Sequence, residues 1–344
     1  MKRFLSWGNR LHSGETSIPF VPRRGLWLGI SGLLCALSLV IPLVSGFNLG
    51  IAFTGGSQFQ VDNVTSADPA VGEEAVREAV GDENVSAVAG SDTSVSVTSD
   101  ELTDAQVYEA RQALVNAYSV EEADVTSTFV GPQWGQDVTV KMMRALVIFV
   151  ALAMIVMAVY FRTWKMSLAA IVGVVAVMLI TVGIYSATGF EVTPAAIIGF
   201  LTVLSFSIYD TVVVFDKVRE NTAGYRDNVH MKFSELVNLG INQTTVRSIN
   251  TSMISALPIG AILFIGVFML GAGTLVDISL SLFIGQIVAG LSTLFVAAPL
   301  YAVLRAREPA VKEQEAAVAE RRRERGLPDR PPVLMSEAPV SAGR

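Results

Sequence analysis

A single carboxyl group, that of Asp210, lies inside a long apolar stretch of this 344-residue chain. Val192–Phe215 contains no other charged residue, and Asp210 precedes Asp216, at the polar end, by six residues. A helix rises about 1.5 Å per residue, so the carboxyl is roughly 9 Å from that end. An ionised aspartate in mid-membrane costs about 2.5–3.5 kcal/mol. Asp210 must be neutral, paired or in contact with water, as a proton carrier would be; a structural hydrogen bond between helices is the alternative.

A second group of polar residues offers a partner for this carboxyl. Arg247, Asn250 and Thr251 recur at three- or four-residue spacing where another apolar run begins, so they share one helix face. Two antiparallel helices would bring this face to Asp210. Burial and a nearby arginine act in opposite directions on the protonation of a carboxyl, so their balance changes when a cavity opens or closes. We therefore predict a proton relay formed by Asp210 and Arg247, with Asn250 and Thr251 in support.

Two further polar residues belong to the same stretch as Asp210. Ser207 lies one helical turn before it and is predicted to support the relay. Asp216 is followed directly by Lys217, at the boundary where a charge has access to water. A supporting role for Asp216 and an interfacial ion pair are both compatible with that position.

The composition assigns these residues to a membrane protein. Hydrophobic residues make up 51% of the chain and charged residues 16%, whereas a soluble domain carries about 25% charged residues. An ordinary cytosolic enzyme is therefore excluded. Six stretches meet or approach the length of about 20 apolar residues that crosses a bilayer. They predict a polytopic α-helical membrane protein with six transmembrane helices, at residues 25–47, 141–161, 166–189, 192–216, 248–271 and 277–304.

The Lys and Arg residues predict the orientation of these helices. They concentrate before the first span, between spans two and three, after span four and after span six, and such segments face the cytoplasm. Both termini are therefore expected in the cytoplasm. The net charge of −6 argues against nucleic acid as a partner. The main cytoplasmic segments would be residues 1–24, residues 217–247 with an amphipathic helix, and a disordered tail at residues 305–344.

The insert between the first two spans, residues 48–140, has the size of a small domain. Its patterns follow the order β-α-β-β-α-β, which predicts an α+β ferredoxin-like extracytoplasmic domain between helices 1 and 2. It has no histidine or cysteine, so we expect a binding or docking module and not an enzyme. Gly55-Gly56 lacks the Lys-Ser/Thr of a phosphate loop and is predicted to form a turn. With Phe53 and Thr54 it makes a candidate hinge between membrane and sheet.

Five motifs are distributed over the chain: Asn48–Gly56, Ser207–Asp216, Arg219–Asn221, Asn242–Thr244 and Arg247–Ser252. Together they resemble the SecD/SecF family of membrane proteins, and the resemblance extends over most of residues 25–304. Two positions depart from the family pattern. Ala52 replaces an acidic residue of the first motif, and Tyr209 replaces the asparagine that usually precedes the aspartate.

The resemblance implies an RND-type protein of the bacterial cytoplasmic membrane that pairs with SecD. Such proteins assist the SecYEG channel, with SecA acting upstream, and use the proton-motive force to move unfolded preproteins across the membrane. In that family, the residues that match Asp210 and Arg247 belong to the proton pathway, and the inserted domain moves and holds the substrate. The coupling ion would be the proton, with no further cofactor and no metal.

Three other functions are compatible with parts of the sequence. An RND-type antiporter of small molecules shares the layout, but such pumps generally have twelve spans and two large outer domains in one chain. A passive scaffold of the translocon would need no proton carrier. An intramembrane aspartyl protease needs two aspartates on facing helices, whereas Asp210 and Asp216 share one helix. We therefore expect no enzymatic activity.

Overall fold

The computed structural model describes residues 7, 9–13, 15–46, 48–82, 84–91, 93–161, 163–266 and 273–329. Predictions that fall on residues 1–6, 8, 14, 47, 83, 92, 267–271 and 330–344 lie outside this range. In chain order, the elements are α1 (Arg24–Ser45), α2 (Ile51–Thr54), β1 (Gly56–Val61), α3 (Pro69–Val80), β2 (Ser86–Ser91), β3 (Ser94–Ser99), α4 (Asp104–Tyr118), β4 (Val125–Val130), α5 (Pro132–Phe161), α6 (Trp164–Thr188), α7 (Pro194–Thr222), α8 (Phe233–Ile265), α9 (Gly273–Ser292), α10 (Ala298–Ala306) and α11 (Pro309–Glu324).

Six helices of the described ranges are long and apolar enough to cross a membrane: α1, α5, α6, α7, α8 and the continuous α9–α10 helix. The chain is therefore a multi-pass membrane protein. In their most apolar windows, 50% of residues are buried in α6, 44% in α7 and 56% in α9–α10, but only 6% in each of the other three. Helices α6, α7 and α9–α10 thus form the centre of the bundle, and the others present apolar faces outward.

Several helices extend beyond the apolar runs that predicted them. α5 begins at Pro132, within the predicted insert, and α7 continues to Thr222. α8 begins at Phe233, so the amphipathic helix expected on the membrane surface is instead the first part of this long helix. Its side chains Val237 and Ile241 are fully buried in the bundle. The difference arises because hydropathy marks where lipid begins, whereas the helical hydrogen bonds continue into water.

The inserted domain is a four-stranded antiparallel sheet with two helices on one face. The strand order is β2-β3-β1-β4, and Phe59 at the centre of β1 pairs with Val97 on one side and Ser127 on the other. Asp68 caps α3 by accepting a hydrogen bond from the Ala70 amide. Side chains alternate between the two faces of the sheet, and the apolar ones point toward α3 and α4. There they form a core that is separate from that of the bundle.

The tail after the last span differs from its prediction, because residues 309–324 form a helix and not a disordered segment. Arg322 of this helix, α11, forms a two-pronged ion pair with Glu235 of α8, at 2.8 and 2.7 Å. Val311 and Val318 are buried beneath it. A charge-rich composition predicts disorder only when the charges lack partners, and here the bundle supplies them.

The same tail helix caps the start of α8. The amide of Phe233 donates to Gln314 Oε1 at 3.1 Å, and that of Ser234 donates to Glu315 Oε1 at 3.0 Å. A helix leaves its first amides without partners in its own backbone. In this protein, a helix later in the chain supplies two of the missing acceptors.

Candidate functional site

Asp210 lies on the buried face of α7, against α8 and the α9–α10 helix. Asp210 is only 9% exposed. Ser248 of α8 donates its hydroxyl hydrogen to Asp210 Oδ2 at 2.7 Å. Thr293, which follows α9, also lies near the carboxyl. A hydroxyl can donate to an ionised carboxylate or accept from a protonated carboxyl, so the surroundings are compatible with both states.

The helix that carries Thr293 is irregular next to this carboxyl. Residues Thr293–Ala297 form a π-helical turn between α9 and α10. The Thr293 hydroxyl lies 3.3 Å from the hydroxyl of Thr211, the residue after Asp210. π-turns are rare and are frequently found at functional sites, because the wider turn changes the direction of side chains and weakens the regular hydrogen bonds. The π-turn therefore lies beside the residue that follows Asp210.

The structure brings only some of the predicted relay residues to Asp210. Ser207 is buried on the same face, one turn before it. Arg247 is the neighbour of Ser248 in sequence, but it is exposed. No ion pair joins Arg247 to Asp210 within the described part of the chain. Asn250 is exposed and Thr251 is half-buried.

The boundary residue Asp216 is exposed, and the neighbouring Lys217 pairs with Glu220 at 2.8 Å. The ion pair expected at this end of the helix therefore uses the next acidic residue along α7. Asp216 lies away from the buried carboxyl and its hydroxyl partners.

Sequence reasoning missed the two hydroxyl partners of Asp210, Ser248 and Thr293. A signal for Ser248 exists, because small polar residues recur at spacings of three and four along α8, on a face that is separate from Arg247. Members of this row are buried or half-buried, in contrast to Arg247. Thr293 has no comparable signal, since its position depends on the π-turn. The small polar row of α8 consists of Thr245, Ser248, Ser252 and Ser255.

The hinge motif occupies the junction between membrane and sheet. Phe53 and Thr54 end the one-turn helix α2, and Gly55 and Gly56 follow with φ of +77° and +118°. Only glycine adopts such angles readily. A Cβ at Gly55 would lie 2.8 Å from the Cα of Pro132, which begins α5. The two chain connections between domain and bundle therefore lie side by side.

A sequence model of the family described as "Protein export membrane protein SecD/SecF, C-terminal" matches residues 110–307. The chain belongs to this SecD/SecF family. The matched residues contain Asp210, Ser248 and Thr293 but not the hinge motif.

Curated relatives and solved structures agree with this assignment. The chain is 39% identical to the protein translocase subunit SecF of Streptomyces coelicolor, over 91% of this chain and 83% of the relative. It is 38% identical to SecF of Mycobacterium tuberculosis, over 92% and 74%. The crystal structure of SecDF from Thermus thermophilus superposes with a TM-score of 0.73 at 28% identity and covers 86% of this chain. This SecD/SecF family member spans 39% of that longer protein.

Proposed function

We propose that this protein is a SecF-like accessory subunit of Sec-dependent protein translocation, which uses the proton-motive force to drive late steps of preprotein movement. The observation that carries the proposal is the Asp210 carboxyl, buried in an apolar bundle and hydrogen-bonded by Ser248. Asp210 is the proton carrier in this proposal. Arg247, one residue from Ser248, would act on it through its charge. The relatives named as translocase subunits support the transport role.

The proposed assembly pairs this chain with SecD next to the SecYEG channel, with SecA acting before it on the unfolded preprotein. Two features support a helical partner. The chain matches 39% of a SecDF structure, and its helices α1, α5 and α8 present apolar faces that their own bundle leaves exposed. The proposed location is the bacterial cytoplasmic membrane, with both termini in the cytoplasm. The coupling ion is the proton, without another cofactor or enzymatic turnover.

The inserted domain is the proposed moving part, with a ferredoxin-like fold on the extracytoplasmic side. Its antiparallel sheet with order β2-β3-β1-β4 and its two helices on one face support that fold. The glycines Gly55 and Gly56, beside Pro132, support a hinge at its attachment. The domain would hold the emerging preprotein while the bundle changes state.

The proposed mechanism begins with the two protonation states of Asp210. An ionised carboxylate accepts from the hydroxyls around it, whereas a protonated one donates a hydrogen, so Ser248 or Thr293 must then turn an oxygen lone pair toward it. This exchange changes how α7 contacts α8 and the π-turn. A proton that crosses about 180 mV delivers about 4 kcal/mol, which biases a two-state equilibrium roughly a thousandfold. That bias is sufficient to drive movement of a docked domain.

The test is preprotein translocation into inverted vesicles after the ATP-driven step, with SecD and this chain supplied. We expect Asp210→Asn to remove the stimulation by the proton gradient, because an amide cannot be ionised. The matched control is Asp227→Asn, which makes the same change at an exposed position after α7. Full gradient stimulation in Asp210→Asn, with normal assembly, would reject the carrier and favour the passive scaffold.

A further inference from the structure

A second pair of acidic residues lies at the other end of the bundle, where the inserted domain is attached. Glu191 is in the loop between α6 and α7, and Asp277 is in the second turn of α9. Thr193 holds Asp277 by donating to its Oδ2 at 2.8 Å. Both acidic residues line a cleft of about 470 Å³ between the bundle and the sheet of the domain, which we name the Glu191 cleft.

The Glu191 cleft contains acidic groups without a compensating cation. On the domain side, the strands contribute uncharged side chains, including Gln58, Gln60 and Ser96. On the bundle side, the end of α6 contributes Tyr185 and the start of α9 contributes Asp277. Among the described residues that line the cleft, none is Lys, Arg or His. An ionised Glu191 therefore faces a second acidic group across a surface that offers it only neutral dipoles.

The loop that carries Glu191 is joined directly to the hinge segment of the domain. The Val192 amide donates to Asn48 O at 2.7 Å, and Val192 O accepts from the Gly50 amide at 3.0 Å. A Cβ at Gly50 would lie 2.5 Å from Glu191 Oε1, so a larger residue here would displace the end of the Glu191 side chain. Gly50 leads through α2 to the glycine pair Gly55-Gly56. The carboxyl is thus placed against the segment that would carry any movement of the domain.

The surroundings also change the acidity of this group. Burial, and next the charge of Asp277, raise the pKa of the Glu191 carboxyl to about 7. Glu191 lies outside the membrane-spanning helices, lines the cleft and is only partly buried, so protons from the adjacent solution can reach it.

We propose that Glu191 is a positioning residue whose protonation holds the inserted domain docked on the bundle, and whose ionisation opens the Glu191 cleft. The inference rests on the proposed movement of the domain. It adds a proton-sensitive contact on the domain side that is separate from the carrier Asp210. Loss of the proton from Glu191 would leave two carboxylates in one closed cleft, and opening would hydrate both.

The direction of the pH dependence follows from linkage. The docked state has the higher pKa for Glu191, about 7, whereas an open, hydrated carboxyl would return to its ordinary value of 4.5. Docking is therefore favoured fully below pH 4.5, weakens as pH rises, and has lost this contribution above pH 7. The difference of 2.5 pH units corresponds to at most about 300-fold in the docking equilibrium.

The test measures docking directly, with the full chain in lipid nanodiscs. A Cys35→Ser background removes the native cysteine, and spin labels at Tyr108→Cys on α4 and Ala187→Cys at the end of α6 report the distance between domain and bundle. Both label positions are exposed. We expect the docked population to decrease between pH 4 and pH 8, and Glu191→Gln to stay docked throughout. Glu191→Asp, which restores the titration, should again respond to pH.

Two outcomes would overturn the assignment: a docked population that does not change with pH in the parent chain, or one that changes equally in Glu191→Gln. Asp210→Asn separates this inference from the proton carrier. It should retain pH-dependent docking, because Asp210 lies in the core of the bundle. If Asp210→Asn abolishes the response and Glu191→Gln does not, the carrier alone controls the domain. Circular dichroism of each variant establishes that it is folded.

Discussion

Two acidic sites of this protein, Asp210 and Glu191, are built in opposite ways. Asp210 has a hydroxyl partner in Ser248 of α8, and a hydroxyl can donate or accept a hydrogen bond. Glu191 faces a second carboxyl and the backbone of a glycine. The neighbours of Asp210 are therefore compatible with both its protonated and its ionised state. The Glu191 site favours the protonated carboxyl while the cleft is closed and the ionised carboxyl while it is open.

This difference matches the two tasks that we propose for Asp210 and Glu191. A carrier must exchange its proton many times, so neither state can be too stable. A docking contact must change its strength when the proton leaves, so its closed form has to prefer one state. The hydroxyls near Asp210 fit the first task, and the acidic pair at the Glu191 cleft fits the second.

The largest expected effect comes from measuring both responses, gradient stimulation and pH-dependent docking, in one variant of each site. Asp210→Asn should lose all gradient stimulation of translocation and keep pH-dependent docking. Glu191→Gln should lose pH-dependent docking. The measurements are vesicle translocation and the spin-label distance described above. If Asp210→Asn removes both responses in folded protein, the two sites form one pathway and the division of tasks is wrong.

Removal of the hydroxyl partner of Asp210 should have the next largest effect. A hydrogen bond to a charged group contributes about 1.5–3 kcal/mol, so we expect Ser248→Ala to reduce gradient stimulation by about tenfold or more. The matched control is Ser255→Ala on the same helix, because its hydroxyl bonds to the backbone oxygen of Thr251, at 2.8 Å. Equal losses in both variants would indicate a general effect on α8 and not on the carrier.

A methyl group at Gly50 should alter the second site more mildly. Gly50→Ala displaces the Glu191 carboxyl toward water, so its pKa should fall toward the ordinary value, and the docking midpoint should fall by about one pH unit. Gly131→Ala is the control, since a Cβ there meets no atom within 4 Å. An unchanged midpoint in Gly50→Ala, measured by spin-label distance, would mean that the close approach has no influence on the titration.

The smallest expected effect concerns the π-turn. Thr211→Val keeps the shape of the side chain and removes its contact with Thr293, which contributes about 1 kcal/mol. Gradient stimulation should fall by about fivefold or less. Thr202→Val is the control, because the Thr202 hydroxyl bonds within its own helix, to Ile198 O. A loss as large as that of Ser248→Ala would make Thr211 an essential member of the relay.

The sequence was sufficient to predict six spans and the buried carboxyl, for a clear physical reason. Lipid requires long apolar runs, and a charge within such a run is conspicuous. The partner of that carboxyl was harder to identify. The charge of Arg247 makes it the predicted partner. Ser248, next to it, has the shorter side chain and the buried position. Side-chain direction on α8, and not residue type, decides which of the two touches Asp210.

Two other features depend on contacts between distant segments. Nothing local in Thr293–Ala297 predicts a π-turn, since its geometry depends on packing against α6 and α7. The tail helix was missed for a similar reason. Its charges look solvated in the sequence, and only the fold brings Arg322 to Glu235. Local patterns predict elements well where one environment dominates, and poorly where a specific partner determines the conformation.

The cap that α11 places on α8 has a consequence for the time course of synthesis. The acceptor of the Phe233 amide, Gln314, lies 81 residues later in the chain. At about 5–20 residues per second, a ribosome needs about 4 to 16 s to supply it. Until then, the helix that carries Ser248 starts with open amides. The start of α8 is therefore capped by α11 only after all the helices of the bundle have been synthesised.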